Sequence, residues 1–158
     1  MANQLRVSVR VRVNDGMTPG AILALLDHEL GDGFVTCLLA TFDPETRELR
    51  YANAGHLPAL LVRHGATDFV AGRTSPPLGT QQVDAHAQSC VALEDGDLFV
   101  LYTDGLVERR GEAIDRGLDR LATMATVVAA VGDPAFTFVE ALGPNAADDV
   151  CVVALKLG

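Results

Sequence analysis

Apolar residues change their spacing several times along the chain, and each change marks an element. Ile22, Leu23, Leu26 and Leu30 recur at helical spacing behind Thr18-Pro19, a cap residue followed by the residue whose ring presets the first helical turn. Gly31 and Gly33 stop that helix. Residues 34–42 form an apolar run, Asp43-Pro44-Glu45-Thr46 forms a turn, and residues 48–53 alternate more weakly, which predicts a β-hairpin. Residues 58–63 predict another short strand, with Gly65 turning the chain into an extended stretch near 67–70. Residues 83–93 alternate loosely, and Glu94-Asp95-Gly96-Asp97 leads into the strongly apolar stretch 98–103, a pattern that predicts a second hairpin. Ile114, Leu118, Leu121 and Ala125 return to helical spacing, although Gly117 weakens that helix by about 1 kcal/mol relative to alanine. Asp133-Pro134 repeats the cap-and-proline start of a helix that runs to Leu142 and closes at Gly143-Pro144, before a last strand over 150–157. In the first dozen residues, Val7, Val9, Val11 and Val13 alternate with polar partners as a half-buried strand does. Hairpins with segregated helices predict an α+β fold.

With 158 residues the chain holds a real core and asks for no second domain, so residues 1–158 are read as one domain. Only 5% of residues are aromatic against 49% apolar overall, so Val, Leu, Ala and Ile must build the core. The net charge of −9 repels phosphate backbones and anionic lipid, which argues against nucleic acid and membrane as partners; the cluster Arg6, Arg10 and Arg12 is too small to reverse this. Cys37, Cys90 and Cys151 each lie in an apolar stretch and are expected to be reduced and buried. No apolar run has the length of a membrane span and the first residues do not open a signal peptide, so a cytoplasmic location is expected.

Candidate chemistry lies where acids meet strand ends. Asp104 follows the stretch 98–103, and Asp148-Asp149 precedes the last strand. If those strands are antiparallel neighbours, the end of one lies beside the start of the other and the carboxylates approach. Carboxylate oxygen suits Mg²⁺ and Mn²⁺, which activate water and neutralise a phosphoryl group. Asp-Gly and Asp before a strand also serve as ordinary turn residues, so spacing leaves both readings open. His56, at the end of Asn53-Ala54-Gly55-His56, reads more readily as a structural hydrogen-bonding group than as an acid or base. Cys37 has no neighbouring His or Arg in sequence to stabilise a thiolate and is discounted as a nucleophile.

Taken in order, Phe34-Val35-Thr36, Tyr51-Ala52-Asn53-Ala54-Gly55-His56, Pro77-Leu78-Gly79, Leu101-Tyr102-Thr103-Asp104-Gly105-Leu106-Val107-Glu108 and Asp148-Asp149-Val150 resemble the SpoIIE/RsbU branch of the PPM/PP2C protein phosphatases. The resemblance spans essentially the whole chain. It implies a partial PP2C-like α-β-β-α sandwich of antiparallel sheets flanked by helices. It also implies that Asp104 and Asp148 are metal ligands, with Gly105 and Asp149 as further candidates, for two Mn²⁺ or Mg²⁺ ions. Asn53 and His56 are weaker candidates for contact with substrate. On this correspondence the first dozen residues are a helix, against their local alternation.

The resemblance implies metal-dependent hydrolysis of phosphoserine or phosphothreonine by a metal-bound water, on a phosphoprotein such as an anti-sigma-factor antagonist. Two earlier family motifs, a Gly-Asp-rich strand and an Asp-x-Ser-Gly-His-Gly turn, have no counterpart in these residues, so the domain is expected to be truncated at its N-terminal side and weak or inactive by itself. The competing expectation is a catalytically inactive module that binds a regulator. A sheet left without its leading strands is also expected to favour a homodimer.

Overall fold

The computed structural model describes residues 2–30, 33–70, 72–80, 85–142 and 148–158, with the side chains of residues 2–6 outside the description. The expected helix stop at Gly31, the start of the strand at Val83 and the Gly143-Pro144 closure fall outside the described residues. The chain gathers into two compact units, residues 1–56 with 71–93 and residues 57–70 with 94–158.

In the first unit, helices α1 (Ala2–Asn14) and α2 (Pro19–Leu30) precede the strands β1 (Cys37–Asp43) and β2 (Glu48–Ala54). The valines of α1 alternate like a strand, yet only Val9 packs against the apolar cluster, while Val7 and Val11 are exposed. Arg12 secures the helix by donating to Ser8 one turn back and to Glu29 on α2. Ile22, Leu23 and Leu26 of α2 bury against Ala52, Ala54 and Leu78, and a fully buried Leu or Ile contributes about 1.5–3 kcal/mol.

The first hairpin forms as expected, paired from Cys37↔Ala54 to Asp43↔Glu48. Asp43 Oδ1 organises its turn, accepting the Glu45 and Thr46 amides at 2.9 and 3.3 Å. The first strand begins later than its apolar run, because Val35 instead makes an isolated bridge to Leu78. β2 is central: β6 (Gln88–Ala92) pairs with it antiparallel and the two-residue β5 (Thr74–Ser75) pairs with it parallel.

In the second unit, β3 (Ala59–Arg63), β4 (Ala66–Val70), β7 (Leu98–Tyr102) and β8 (Val152–Lys156) form an antiparallel sheet in the order β4-β3-β7-β8. Helices α3 (Ile114–Val128) and α4 (Pro134–Leu142) supply Leu121, Ala125, Val128, Phe138 and Leu142 to a core completed by Leu60, Val62, Leu98 and Val100. Asp133 caps α4 as its sequence predicts, with Oδ1 accepting the Phe136 amide at 3.0 Å. The class is α+β, each sheet being backed by helices of its own unit.

The second expected hairpin does not form. β6 pairs with β2, whereas β7 pairs with β3 and β8. A turn sequence marks a change of direction and does not fix which strand becomes the neighbour. The turn is held by the end of β8: Gly96 N donates to Leu157 O at 2.8 Å and Leu157 N to Asp97 O at 3.0 Å. Asp97 is buried and accepts from Arg63 Nε at 3.1 Å and from the Glu94 amide at 2.8 Å. Burial alone raises its pKa, but the hydrogen bonds from Arg63 and Glu94 outweigh that and hold it below the ordinary carboxylate value.

The expectation for the cysteines holds in part. All three thiols are free; Cys37 is half-buried rather than buried, and its desolvation pushes the thiol up to about 11. Cys90 and Cys151 are exposed rather than buried. Cys90 takes an outward position on β6, and Cys151 lies just before β8 begins.

Candidate metal centre

The apolar strand β7 fixes one half of the candidate site. Leu98, Phe99 and Val100 are buried, and the strand delivers Thr103 and Asp104 to its end. Residues Asp104–Leu106 then form a short 3-10 turn, closed by Leu106 N donating to Thr103 O at 3.0 Å and Val107 N to Asp104 O at 2.9 Å. The other half comes from β8, whose antiparallel pairing with β7 runs from Leu98↔Lys156 to Tyr102↔Val152. The segment before β8 therefore runs beside the end of β7, the condition under which the sequence brings the acids together.

Thr103 fastens the two halves together. Its amide donates to Cys151 O at 3.0 Å, its hydroxyl donates to Asp149 O at 3.0 Å, and that same oxygen accepts the Cys151 amide at 2.9 Å. Gly105 completes the fit. A Cβ built there stands 2.5 Å from Asp149 O and 2.8 Å from Asp148 O, so only a residue without a side chain admits this approach. Asp104 Oδ1 accepts the Gly105 amide at 2.8 Å and Asp148 Oδ1 accepts the Asp149 amide at 2.7 Å. Asp104, Asp148 and Asp149 are exposed. The ion pairs among the described residues engage other acids, such as Glu29, Glu94, Asp97 and Glu112. No described cation neutralises this corner.

The donor type suits a hard divalent cation, which takes carboxylate and carbonyl oxygen. The donor number does not suit two. No group of three or more His, Cys, Asp or Glu side chains that could hold a metal ion occurs among the described residues. Asp104 and Asp148-Asp149 thus form an oxygen-rich corner without a closed ligand set, and a two-ion centre needs donors beyond these.

Asn53 and His56 lie in the first unit and have a clear local role. Asn53 is buried, its Nδ2 donates to His56 O at 2.9 Å, and its Oδ1 accepts the His56 amide at 2.8 Å. The side-chain amide closes the turn after β2, while His56 Nδ1 lies 3.3 Å from Thr36 Oγ1. Sequence reasoning missed two features. Thr103 stood inside a motif with no signal of its bridging role, and Asp27, on the buried side of α2, was hidden within an ordinary helical pattern.

An α+β domain with an acidic corner between paired strand ends has the architecture of PP2C-type phosphatase domains. The SiaA-PP2C domain of Pseudomonas aeruginosa superposes with a TM-score of 0.79 at 20% identity, over 98% of this chain and 66% of that one. The PP2C domain of SpoIIE from Bacillus subtilis, solved with a fragment of its regulatory domain, gives 0.76 at 16% identity, over 98% of this chain and 49% of the other. The chain belongs to the SpoIIE family, described as Stage II sporulation protein E, which matches residues 1–158. The RsbU and RsbW domains of a Mycobacterium tuberculosis protein superpose with a TM-score of 0.80 at 25% identity, over 97% of this chain and 46% of that one. Phosphoserine phosphatase RsbP of Bacillus subtilis is 30% identical over 107 residues, covering 61% of this chain and 26% of the relative. The chain thus spans about a quarter of that curated relative's length.

Proposed function

We propose that residues 1–158 form part of a single PPM-type domain acting on phosphoserine or phosphothreonine in a regulatory phosphoprotein. Asp104 and Asp148 are its cation ligands, assisted by Asp149 and the Gly105 backbone. The carrying observation is the Thr103 bridge, which brings the Asp104 turn and the Asp148-Asp149 segment together without a described cation to neutralise them. Mn²⁺ or Mg²⁺ is the cation the all-oxygen donor set favours. A solved relative, RsbX, was crystallised in complex with magnesium, and the phosphatase domain of SpoIIE was presoaked with manganese, which supports the same choice. The likeness to the phosphoserine phosphatase RsbP supports a phosphoserine substrate, and a phosphoprotein such as an anti-sigma-factor antagonist is the class we propose.

A second reading is favoured by the open ligand set: a regulator-binding module without chemistry. Hydrolysis of a phosphoserine protein by the 158-residue chain in Mn²⁺ separates the two readings: the phosphatase reading expects slow turnover that Asp104→Asn abolishes, and the binding module expects none. The expected rate is lower than that of a family member with a closed two-ion site by about a hundredfold, because a carboxylate pair cannot neutralise two ions. Equal rates contradict the proposed shortage of donors.

A further inference from the structure

The first unit buries a second polar pair that the phosphatase reading does not use. Asp27 on α2 and His86 ahead of β6 are 1% and 4% exposed. Asp27 Oδ1 accepts the Gly79 amide, fastening the Pro77-Leu78-Gly79 turn to the helix. Asp27 Oδ2 lies 3.9 Å from His86 Nε2, beyond hydrogen-bond length. Among the described residues that oxygen and both imidazole nitrogens lack a hydrogen-bond partner.

The surrounding main chain is well tied. His86 N donates to Gly20 O at 3.3 Å, Ala87 N to Ser75 Oγ at 3.2 Å, and Leu78 exchanges amide bonds with Val35 at 2.9 and 3.1 Å. Two chain segments are therefore held to α2, one through the Asp27 carboxylate and one through the His86 main chain, and the half-satisfied pair joins α2 to the second of them. Buried polar groups without partners are costly, so a change in their protonation is strongly coupled to packing.

We propose that Asp27 and His86 form a proton-operated latch that fastens residues 77–80 and 85–87 to α2. The neutral ring stays buried and the latch is closed; a protonated ring favours water and opens it. Asp27 is the described titratable group that faces the ring from α2. Pro77, Leu78, Gly79 and Thr80 on the turn, and Ser75 and Gln88 on the neighbouring strands, carry no charge. Burial lowers the His86 pKa more than the Asp27 charge raises it. Since the unfolded ring takes its proton near 6.5, stability present above that pH is lost as pH falls toward the lower folded value. The proposal does not rest on the phosphatase reading.

The test follows the full chain by NMR at about pH 7.5 and about pH 5.5, on either side of the ordinary imidazole value. His86 is expected to titrate below 6.5, and protection of the Gly79 amide from exchange is expected to fall severalfold at the lower pH. His86→Gln should remove that pH dependence. A His86 midpoint at or above 6.5, or Gly79 protection equal at both values, overturns the latch. So does a folded His86→Gln variant that keeps the full pH dependence. The two wild-type readouts decide the matter even if that variant does not fold.

Discussion

Thr103 and Gly105 show how little separates an acidic turn from an acidic site. Asp104 and Asp148 carry the negative charge, but the Thr103 hydroxyl fixes their segments in register by bonding Asp149 O and the Cys151 amide. Gly105 lets the turn approach the Asp148 and Asp149 carbonyls more closely than any Cβ permits. Gly105→Ala is therefore expected to destabilise the fold by about 1–3 kcal/mol through forced displacement of backbone, measured by denaturant unfolding. Unchanged stability means that the turn and the Asp148-Asp149 segment are not in contact. Asp104 and Asp148 were legible from the sequence because each abuts an apolar strand. The Thr103 bridge was not, since it joins positions far apart in the chain through a side chain common in any strand. Asp27 and His86 escaped for the same reason: each is unremarkable where it stands, and only folding makes them neighbours.

At the scale of elements, spacing found the helices and most strands but misjudged which strands pair. The interval between β6 and β7 looks like a hairpin, yet Asp97 is committed to Arg63 and the adjoining turn to the end of β8. Those are long-range contacts with no local signal. Helix α1 forms as the family correspondence implied, against the alternation of its valines: one of them, Val9, meets the core and the helix is held by the Arg12 contacts. Gly117 appeared to be a flaw in α3. Its missing side chain instead makes room for β7's following turn, because a Cβ there stands 2.1 Å from Val107 O. Helix propensity alone predicts that Gly117→Ala stabilises by about 1 kcal/mol. The packing predicts the opposite sign, a loss of about 1–3 kcal/mol in the same unfolding measurement. A stabilised variant contradicts the packing account of α3.

At the scale of the molecule, family membership and the complement of metal donors are separate matters. The SpoIIE family matches the whole of residues 1–158, and the α+β class read from the hairpins is the class observed. Among the described residues, no helix is long and apolar enough to cross a membrane. The ligand role proposed for the acids rests on resemblance, because Asp-Gly and Asp-Asp are common wherever strands end. The paired ends of β7 and β8 supply the geometry that reading needs, while the count of donors limits what this stretch can hold by itself.

The central claim is that Asp104 and Asp148 share a divalent cation. Isothermal titration of the 158-residue chain with Mn²⁺, beside Asp104→Asn and Asp148→Asn, tests it most directly. The account predicts one weak site in the wild type, weakened by about a hundredfold or more in each variant without loss of the folded state. Mn²⁺ binding that both variants retain, or its absence from the wild type, contradicts the account.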